Sequence, residues 1–174
     1  MTQPPHQAAQ ANPAAEPNSH ATELQLRSST AQHMTGVEMQ KILQLRVTVF
    51  VAEQQIICEE IDHLDRAETT QHIWLEANGQ VVSVLRLLLD GPVVRIGRVA
   101  TGAEHRRRGY SQQLMWAALE RAEETGRPVE IHAQAYLEDW YAKFGFQRTG
   151  PNFLEEGVDH VPMLWAGKPK GTSA

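Results

Sequence analysis

Residues 93–124 constrain the fold of this chain more than any other part of the sequence. A β-like run is followed by a loop with three consecutive arginines and a glycine, and then by a helix-like run. A strand that turns through such a loop into a helix directs free backbone N–H groups and the positive end of the helix dipole toward one point. The sequence therefore predicts a phosphate site at residues 106–111. Its spacing, Arg106-x-x-Gly109-x-Ser111, differs from the dinucleotide-binding and nucleotide-binding glycine patterns.

The periodicity of the rest of the chain indicates alternating strands and helices. Two alternating runs that flank Asn78-Gly79 predict a β-hairpin, and Thr35 with Glu38 fits a capping box at the start of a helix. The predicted strands cover residues 23–27, 72–77, 80–89, 93–101, 128–134, 146–149 and 158–165, and the predicted helices cover 35–54, 112–124 and 137–144. This order predicts an α/β (α+β) fold, with a central mixed, mostly antiparallel sheet flanked by helices.

Composition limits the classes of protein to which the chain can belong. The hydrophobic fraction of 41% and the charged fraction of 21% are those of an ordinary soluble globular domain. The net charge of −5 argues against nucleic acid as a partner. No run is long enough to span a membrane, and residues 1–20 lack a secretory pattern, so the expected location is cytoplasmic. The sequence leaves open whether the chain forms a homodimer.

The ends of the chain differ in composition from its middle. Residues 1–21 are rich in Pro, Ala, Gln and Asn and are predicted to be a disordered extension, because they hold too little apolar surface to offset the entropy of ordering. Residues 167–174 are predicted to be a flexible tail. The folded domain is therefore expected at residues 22–166. The histidines at positions 132 and 160 lack metal-ligand spacing, and Cys58 is the single cysteine, so no metal is expected.

Two motifs resemble those of the Gcn5-related N-acetyltransferase (GNAT) superfamily. The loop at residues 106–111 resembles the Arg/Gln-x-x-Gly-x-Gly/Ala loop of that family, except that Ser111 stands where Gly or Ala is usual. The segment at residues 141–146 is similar to its Tyr-x-x-x-Gly-Phe signature. Runs at residues 45–54, 60–65, 72–75, 96–100 and 133–135 resemble the ElaA-type branch. The resemblance implies the acyl-CoA N-acyltransferase fold and acetyl-CoA as co-substrate.

The resemblance also implies where acetyl-CoA binds. Backbone N–H groups of the loop would hold the pyrophosphate, and the strand at residues 98–101 would separate from the strand at residues 131–134 so that the pantetheine arm pairs with it. The N–H of Val99 or its neighbour would polarise the thioester. The expected cofactor-binding residues are Arg98, Val99, Ala100, Thr101, Arg106, Arg107, Arg108, Gly109, Tyr110, Ser111 and Gln134.

Catalytic and acceptor-binding residues are less constrained by the sequence. By resemblance, Tyr141 is the expected general acid, although it could also be a core aromatic. Glu60 and His72 are candidate bases for the acceptor amine. Acidic residues at positions 53–68 could line the acceptor groove or form a solvated loop, and the predicted substrate-binding residues are Arg46, Glu53 and Asp62. For Arg46, a buried ion pair and a substrate-facing role both stay open.

Three functions fit these patterns. The first is an acetyl-CoA-dependent N-acetyltransferase that acts on a small-molecule or peptide amine. The second is an enzyme similar to acyl-homoserine-lactone synthases, because Arg46-x-x-Val49-Phe50 and the following acids echo their N-terminal pattern. The third is a non-catalytic acyl-CoA-binding sensor, since a fold alone does not determine function.

Overall fold

The structure is a computed structural model, and it describes residues 23–167. The predicted extension at residues 1–21 and all of the predicted tail except Gly167 lie outside this range. The strands are β1 (Leu24–Ser29), β2 (Thr70–Ala77), β3 (Gln80–Leu88), β4 (Val94–Thr101), β5 (Val129–Gln134), β6 (Gln147–Arg148), β7 (Phe153–Glu155) and β8 (Val158–Trp165). The α-helices are α1 (Gly36–Arg46), α2 (Tyr110–Glu123) and α3 (Glu138–Ala142).

Shorter helical segments connect these elements. A π-helix, Val47–Glu53, continues α1, and 3₁₀-helices span His63–Arg66, Ala103–His105 and Ala135–Leu137. No helix within the described part of the chain is both long and apolar enough to cross a membrane.

The strands form one mixed sheet in the order β1-β2-β3-β4-β5-β8-β6, and β7 also pairs with β8. All neighbouring pairs are antiparallel except β4 and β5, which are parallel. The β2–β3 hairpin turns at Asn78 and Gly79, which have φ values of 50° and 77°. Such positive φ values match the twist of a tight hairpin, as the Asn-Gly pair predicts. The predicted sheet flanked by helices is confirmed.

The two faces of the sheet are covered by different helices. On one face, α2 packs its buried residues, among them Leu114 and Leu119, against alternate side chains of β2 to β5. On the other face, α1 and the π-helix bury Ile42 and Val49 against Trp74. The capping box of α1 is present, since Thr35 accepts from the Glu38 N–H, and the Glu38 carboxylate accepts from Thr35 N. The helices thus hold the centre of the sheet rigidly between two apolar layers.

The sequence patterns missed two features of the fold. Strand β7 has three residues and follows a turn-rich stretch, which leaves too few positions for a detectable alternation. It is joined to β8 by Glu156 and Gly157, both with positive φ, in a turn that lacks the usual Asn-Gly or Asp-Gly signal. The π-helix occupies the stretch in which β-branched residues reduce helix propensity. Both features line the site described next.

Candidate active site

A notch opens in the sheet between β4 and β5. The two strands pair only at Val94 with Val129 and at Arg95 with Glu130, although both strands continue beyond these residues. Past this point their edges diverge, as expected from the resemblance. The unpaired edges leave backbone groups without ladder partners, so the notch can accept an extended chain that hydrogen-bonds as a strand would.

A bulge in β4 lies at the edge of the notch. The register between β3 and β4 shifts between Val84 and Arg86, and Arg98 has a φ of 54°. A positive φ is uncommon for an arginine and is retained where the surrounding structure requires it. The bulge redirects the backbone at Arg98 and Val99, and both residues line a cavity of about 360 Å³ at the notch. A backbone N–H at this position is placed to contact a group held there.

The loop that follows β4 ends at the N-terminus of α2. Gly109 has a φ of 77°, and a Cβ built on it would meet no atom within 4 Å. Among residues 23–167 no side chain caps the first turn of α2, so its first N–H groups are available to a ligand. Arg107 also has a positive φ, of 62°. This arrangement suits an anion, because successive N–H groups and the helix dipole point toward the same open space.

The arginine side chains of this loop contribute mainly to its shape. Arg106 donates two hydrogen bonds of 2.6 Å to the carboxylate of Glu53 and a third, from Nε, to the carbonyl of Thr101. Arg108 donates to the carbonyl of Glu104. Both carboxylate oxygens of Glu53 are held by Arg106, and its role in acceptor binding stays a prediction.

The extra hydroxyl of Ser111 does not project toward the open side of the loop. Its Oγ lies 2.6 Å from Thr101 Oγ1, which lies 2.7 Å from Ser83 Oγ. The Ser83 hydroxyl donates to the carbonyl of Ala100. This chain of hydroxyls ties the start of α2 to β4 and β3, and the Gly/Ala position of the family pattern is occupied without crowding the loop.

Three other expected cofactor-binding positions differ in their surroundings. Ala100 is buried on the face covered by α1. Tyr110 packs on the core, and its ring lies 6.4 Å from that of His105. Gln134 lies in the cavity wall, where its amide donates to Gln54 and accepts from the Tyr136 hydroxyl. The bulge and the end of β5 therefore line one cavity, and the loop at residues 102–109 follows directly after the end of β4.

Tyr141 of α3 reaches the same cavity from the face covered by α2. The residue is 7% exposed, and its ring makes edge-on contacts with Trp140 and Phe146. Burial raises the pKa of its hydroxyl above the ordinary value of 10, so the group is protonated at neutral pH. The cavity includes this residue in its wall. Tyr141 is thus both a core aromatic and a cavity residue, so the two roles considered from sequence do not exclude each other.

Two of the residues expected to bind the acceptor, Arg46 and Asp62, belong to an ionic network with Glu60, Asp65 and Arg86. Arg46 is 0% exposed and donates to Glu60 Oε1 at 2.6 Å and to Asp65 Oδ1 at 2.5 Å. Arg86 pairs with Asp65 and, through two nitrogens, with Asp62. Asp62 also caps the 3₁₀-helix His63–Arg66. Of the two roles left open for Arg46, the structure shows the buried ion pair, while acceptor binding by Asp62 stays a prediction for a carboxylate that Arg86 already holds.

Glu60 links the network to the notch. Its Oε2 lies 2.8 Å from Arg98 Nε, while its Oε1 and backbone carbonyl accept from Arg46. The residue is 5% exposed and lines the cavity. Arg98 Nε is buried and makes no hydrogen bond among the described residues, so its contact with Glu60 is an ion pair. Both carboxylate oxygens of Glu60 therefore face arginines, and its assignment as the base stays a prediction.

The pKa shifts in the network follow from burial and pairing. Burial alone would raise the pKa of Asp65, but hydrogen bonds from Arg46 and the charge of both arginines hold it below its ordinary value. Burial lowers the pKa of His72, which is 0% exposed and contacts the backbone carbonyl of Asp65 through Nε2. Burial thus favours the neutral form of His72, and its role as a base stays a prediction for a side chain with no exposed surface.

We expect Arg46→Met to reduce the free energy of unfolding by about 3–5 kcal/mol, because Glu60 and Asp65 would stay buried without their cation. Urea unfolding measures this change. Arg121→Met provides the matched control, since Arg121 makes an ion pair in which its side chain is 48% exposed. It should cost less than about 1 kcal/mol. Similar losses in the two variants would contradict the structural role of the network.

Sequence analysis missed one wall of the cavity. Side chains of β5 and of the β7–β8 hairpin line it, namely Glu130, His132, Glu155, Glu156 and His160. The histidines carry no motif spacing, and the two glutamates follow a strand that was not predicted. Alternation along β5 was the available signal, because it puts residues 130, 132 and 134 on the face opposite the α2 core. Among residues 23–167, no group of three or more His, Cys, Asp or Glu is arranged to hold a metal ion.

Comparison with known proteins identifies the class to which this fold and notch belong. The model of the acetyltransferase (GNAT) domain matches residues 30–166. The chain therefore belongs to the GNAT family of acyltransferases.

Particular relatives are found in several bacteria. A UPF0039 protein of Mycobacterium tuberculosis is 42% identical over 147 residues, which cover 82% of this chain and 93% of the relative. The crystal structure of Escherichia coli ElaA has a TM-score of 0.77 at 31% identity, and that of an acyl-CoA N-acyltransferase from Pseudomonas aeruginosa has a TM-score of 0.76 at 35% identity. Each match covers 82% of this chain and 99% of the solved chain. The expected fold and the similarity to ElaA are confirmed.

Proposed function

We propose that this protein is an acetyl-CoA-dependent N-acetyltransferase that acts on a small-molecule or peptide amine by direct attack on the thioester. The observation that carries the proposal is the divergence of β4 from β5 after Arg95 and Glu130, beside a loop of free N–H groups at the start of α2. A notch of this kind suits a ligand with an anionic end and an extended, amide-containing arm. Acyl-CoA has both.

The donor would lie along β4. Backbone N–H groups from Arg107 to Ser111 would hold the pyrophosphate, while Arg106 keeps the loop in shape through Glu53. The pantetheine amides would pair with the free edge of β4. The bulge would direct the N–H of Val99 at the thioester oxygen, where negative charge develops during attack. Glu60 supports this geometry through Arg98.

Tyr141 would complete the transfer. The amine attacks the carbonyl carbon, a C–N bond forms, and the C–S bond breaks. The departing thiolate would take a proton from the Tyr141 hydroxyl, which its raised pKa keeps protonated at neutral pH, and the proton lost by the amine nitrogen would restore that hydroxyl. The tyrosine reaches the cavity from the α2 face of the sheet, and the acceptor would lie against the wall formed by β5, β7 and β8 on the other face.

Release of free thiol from acetyl-CoA in the presence of a panel of amines tests this function. We expect release that depends on the amine and matches the amount of acetylated amine formed. Succinyl-CoA and longer acyl-CoA donors, run in parallel, test the acetyl preference. Binding of acetyl-CoA without thiol release for any amine would instead favour the non-catalytic sensor.

A further inference from the structure

A histidine–carboxylate pair lies in the part of the cavity that sequence patterns did not predict. His132 Nδ1 is 3.3 Å from both carboxylate oxygens of Glu155. The imidazole also stacks edge-on against Phe153, with ring centroids 4.9 Å apart and planes at 81°. Glu155 and Phe153 both belong to β7, and together they restrain the ring at Nδ1 and through the ring contact.

The pair determines which nitrogen of His132 is available. A carboxylate oxygen can only accept a hydrogen bond, so Nδ1 carries the proton in the neutral ring. The lone pair is then at Nε2, which has no hydrogen-bond partner within residues 23–167. The His132 side chain is 42% exposed. An imidazole that is oriented through Nδ1, unbonded at Nε2 and accessible to water has the geometry of a general base.

His132 also lies at the edge of the notch. It is two residues past Glu130, the last β5 residue that pairs with β4. Its side chain shares the β5 face of Glu130 and Gln134, opposite the α2 core. On β4, the residue two positions past Arg95 is Gly97, which also lines the cavity and has no side chain to obstruct it. Tyr141 belongs to the α2 core, so the acid and this histidine reach the cavity from opposite faces of the sheet.

Other candidates for a base are less suited. Both oxygens of Glu60 face arginines, and His72 is fully buried. His160 lines the cavity and has Nδ1 2.9 Å from the Val158 carbonyl, but it lies on β8, one strand farther from the notch. No carboxylate is bonded to its ring. Of the two cavity histidines, His132 therefore lies on the strand that borders the notch, and its ring contacts a carboxylate.

We propose that His132, oriented by Glu155, is the base that removes a proton from the acceptor ammonium. This inference rests on the proposed N-acetyltransferase function. His132 Nε2 takes one proton from the ammonium, and the resulting amine attacks the thioester carbonyl. As the C–S bond breaks, Tyr141 protonates the thiolate, and the second amine proton returns to the Tyr141 oxygen. His132 passes its proton to water, so one acetyl group is transferred and one proton is released.

The charges around the pair favour a cationic acceptor. Of the carboxylates in this wall, Glu130 and Glu156 make no ion pair within the described residues, and Glu155 pairs with His132. They would attract an ammonium group to the histidine. The remaining titratable and charged groups of the cavity are Cys58, Glu60, Arg86, Arg95, Arg98, Tyr136, Tyr141 and His160.

The experiment compares His132→Gln with wild type using two kinds of acceptor. Primary alkyl amines are protonated at neutral pH, whereas anilines are already neutral. We expect the variant to lose roughly 100-fold or more in kcat/KM for the alkyl amine at pH 7, and much less for the aniline, because a base is worth ~100- to 10,000-fold only where a proton must be removed. The loss should shrink as the pH rises toward the pKa of the alkyl amine. A packing role of His132 would affect both acceptors alike.

Two further variants locate the effect. Glu155→Gln should lose roughly 10-fold for the alkyl amine, since an oriented base keeps part of its function without its partner. His160→Gln should keep the pH dependence of wild type. Equal losses for both acceptors in His132→Gln, or transfer of the pH effect to His160→Gln, would overturn the inference. In either case wild type still acetylates amines, whereas no transfer by wild type would overturn the proposed function itself.

Discussion

Gly109→Asp should weaken acetyl-CoA binding by roughly 100-fold, which corresponds to about 2.7 kcal/mol. The glycine has a φ of 77° and faces open space at the N-terminus of α2. An aspartate there adds a side chain and a negative charge where phosphate must approach the backbone. Isothermal titration calorimetry with acetyl-CoA measures the change directly.

Gly91→Asp is the matched control for this prediction. Gly91 has the same φ of 77° and also faces open space, but it lies in the turn before β4, at the other end of that strand. Both variants carry the same backbone strain and the same added charge. If Gly91→Asp reduced affinity as much as Gly109→Asp, the loss would reflect general destabilisation, and the phosphate site would have to lie elsewhere.

Tyr141→Phe should lower kcat ~100- to 10,000-fold and change the KM for acetyl-CoA little, because proton donation to the thiolate occurs only as the C–S bond breaks. The ring contacts with Trp140 and Phe146 do not involve the hydroxyl, so the variant should fold normally. Thiol release under single-turnover conditions isolates the chemical step.

Tyr136→Phe removes the other tyrosine hydroxyl of the cavity and is the control for Tyr141. Tyr136 is 72% exposed, and its hydroxyl donates to Gln134. Its loss should cost far less than the loss of the Tyr141 hydroxyl. Equal single-turnover rates for wild type and Tyr141→Phe would assign Tyr141 to packing alone.

Local signals predicted the framework of the site. The Asn78-Gly79 turn, the alternation on either side of it and the Thr35 capping box each act within a few residues, and each is present in the structure. The strand–loop–helix transition at Gly109 is of the same kind. Such features depend on backbone geometry that nearby residues largely determine.

Partners distant in sequence were not predicted from the chain. Six acids against one base at residues 53–68 suggested an acidic groove. Four of these acids are paired with arginines from α1, β3, β4 and the loop before α2, namely Arg46, Arg86, Arg98 and Arg106. Local composition cannot show such compensation, because it arises only when the sheet brings these elements together.

The cavity wall formed by β5 and the β7–β8 hairpin was not predicted for a related reason. His132 and Glu155 are 23 positions apart, and only the pairing of β5 and β7 with opposite edges of β8 brings them together. Residues 46, 60, 62 and 65, which suggested a lactone-synthase pattern, form the buried network instead. The spacing of these four residues is therefore explained by the ion pairs that they make in the folded chain.

The central claim is that an acyl-CoA molecule binds along β4 with its phosphates at the start of α2. Hydrogen–deuterium exchange with and without saturating acetyl-CoA tests it most directly, because it reports on backbone N–H groups. The account predicts protection at residues 98–101 and 107–112. Protection confined to other segments, while calorimetry shows that acetyl-CoA is bound, would contradict it.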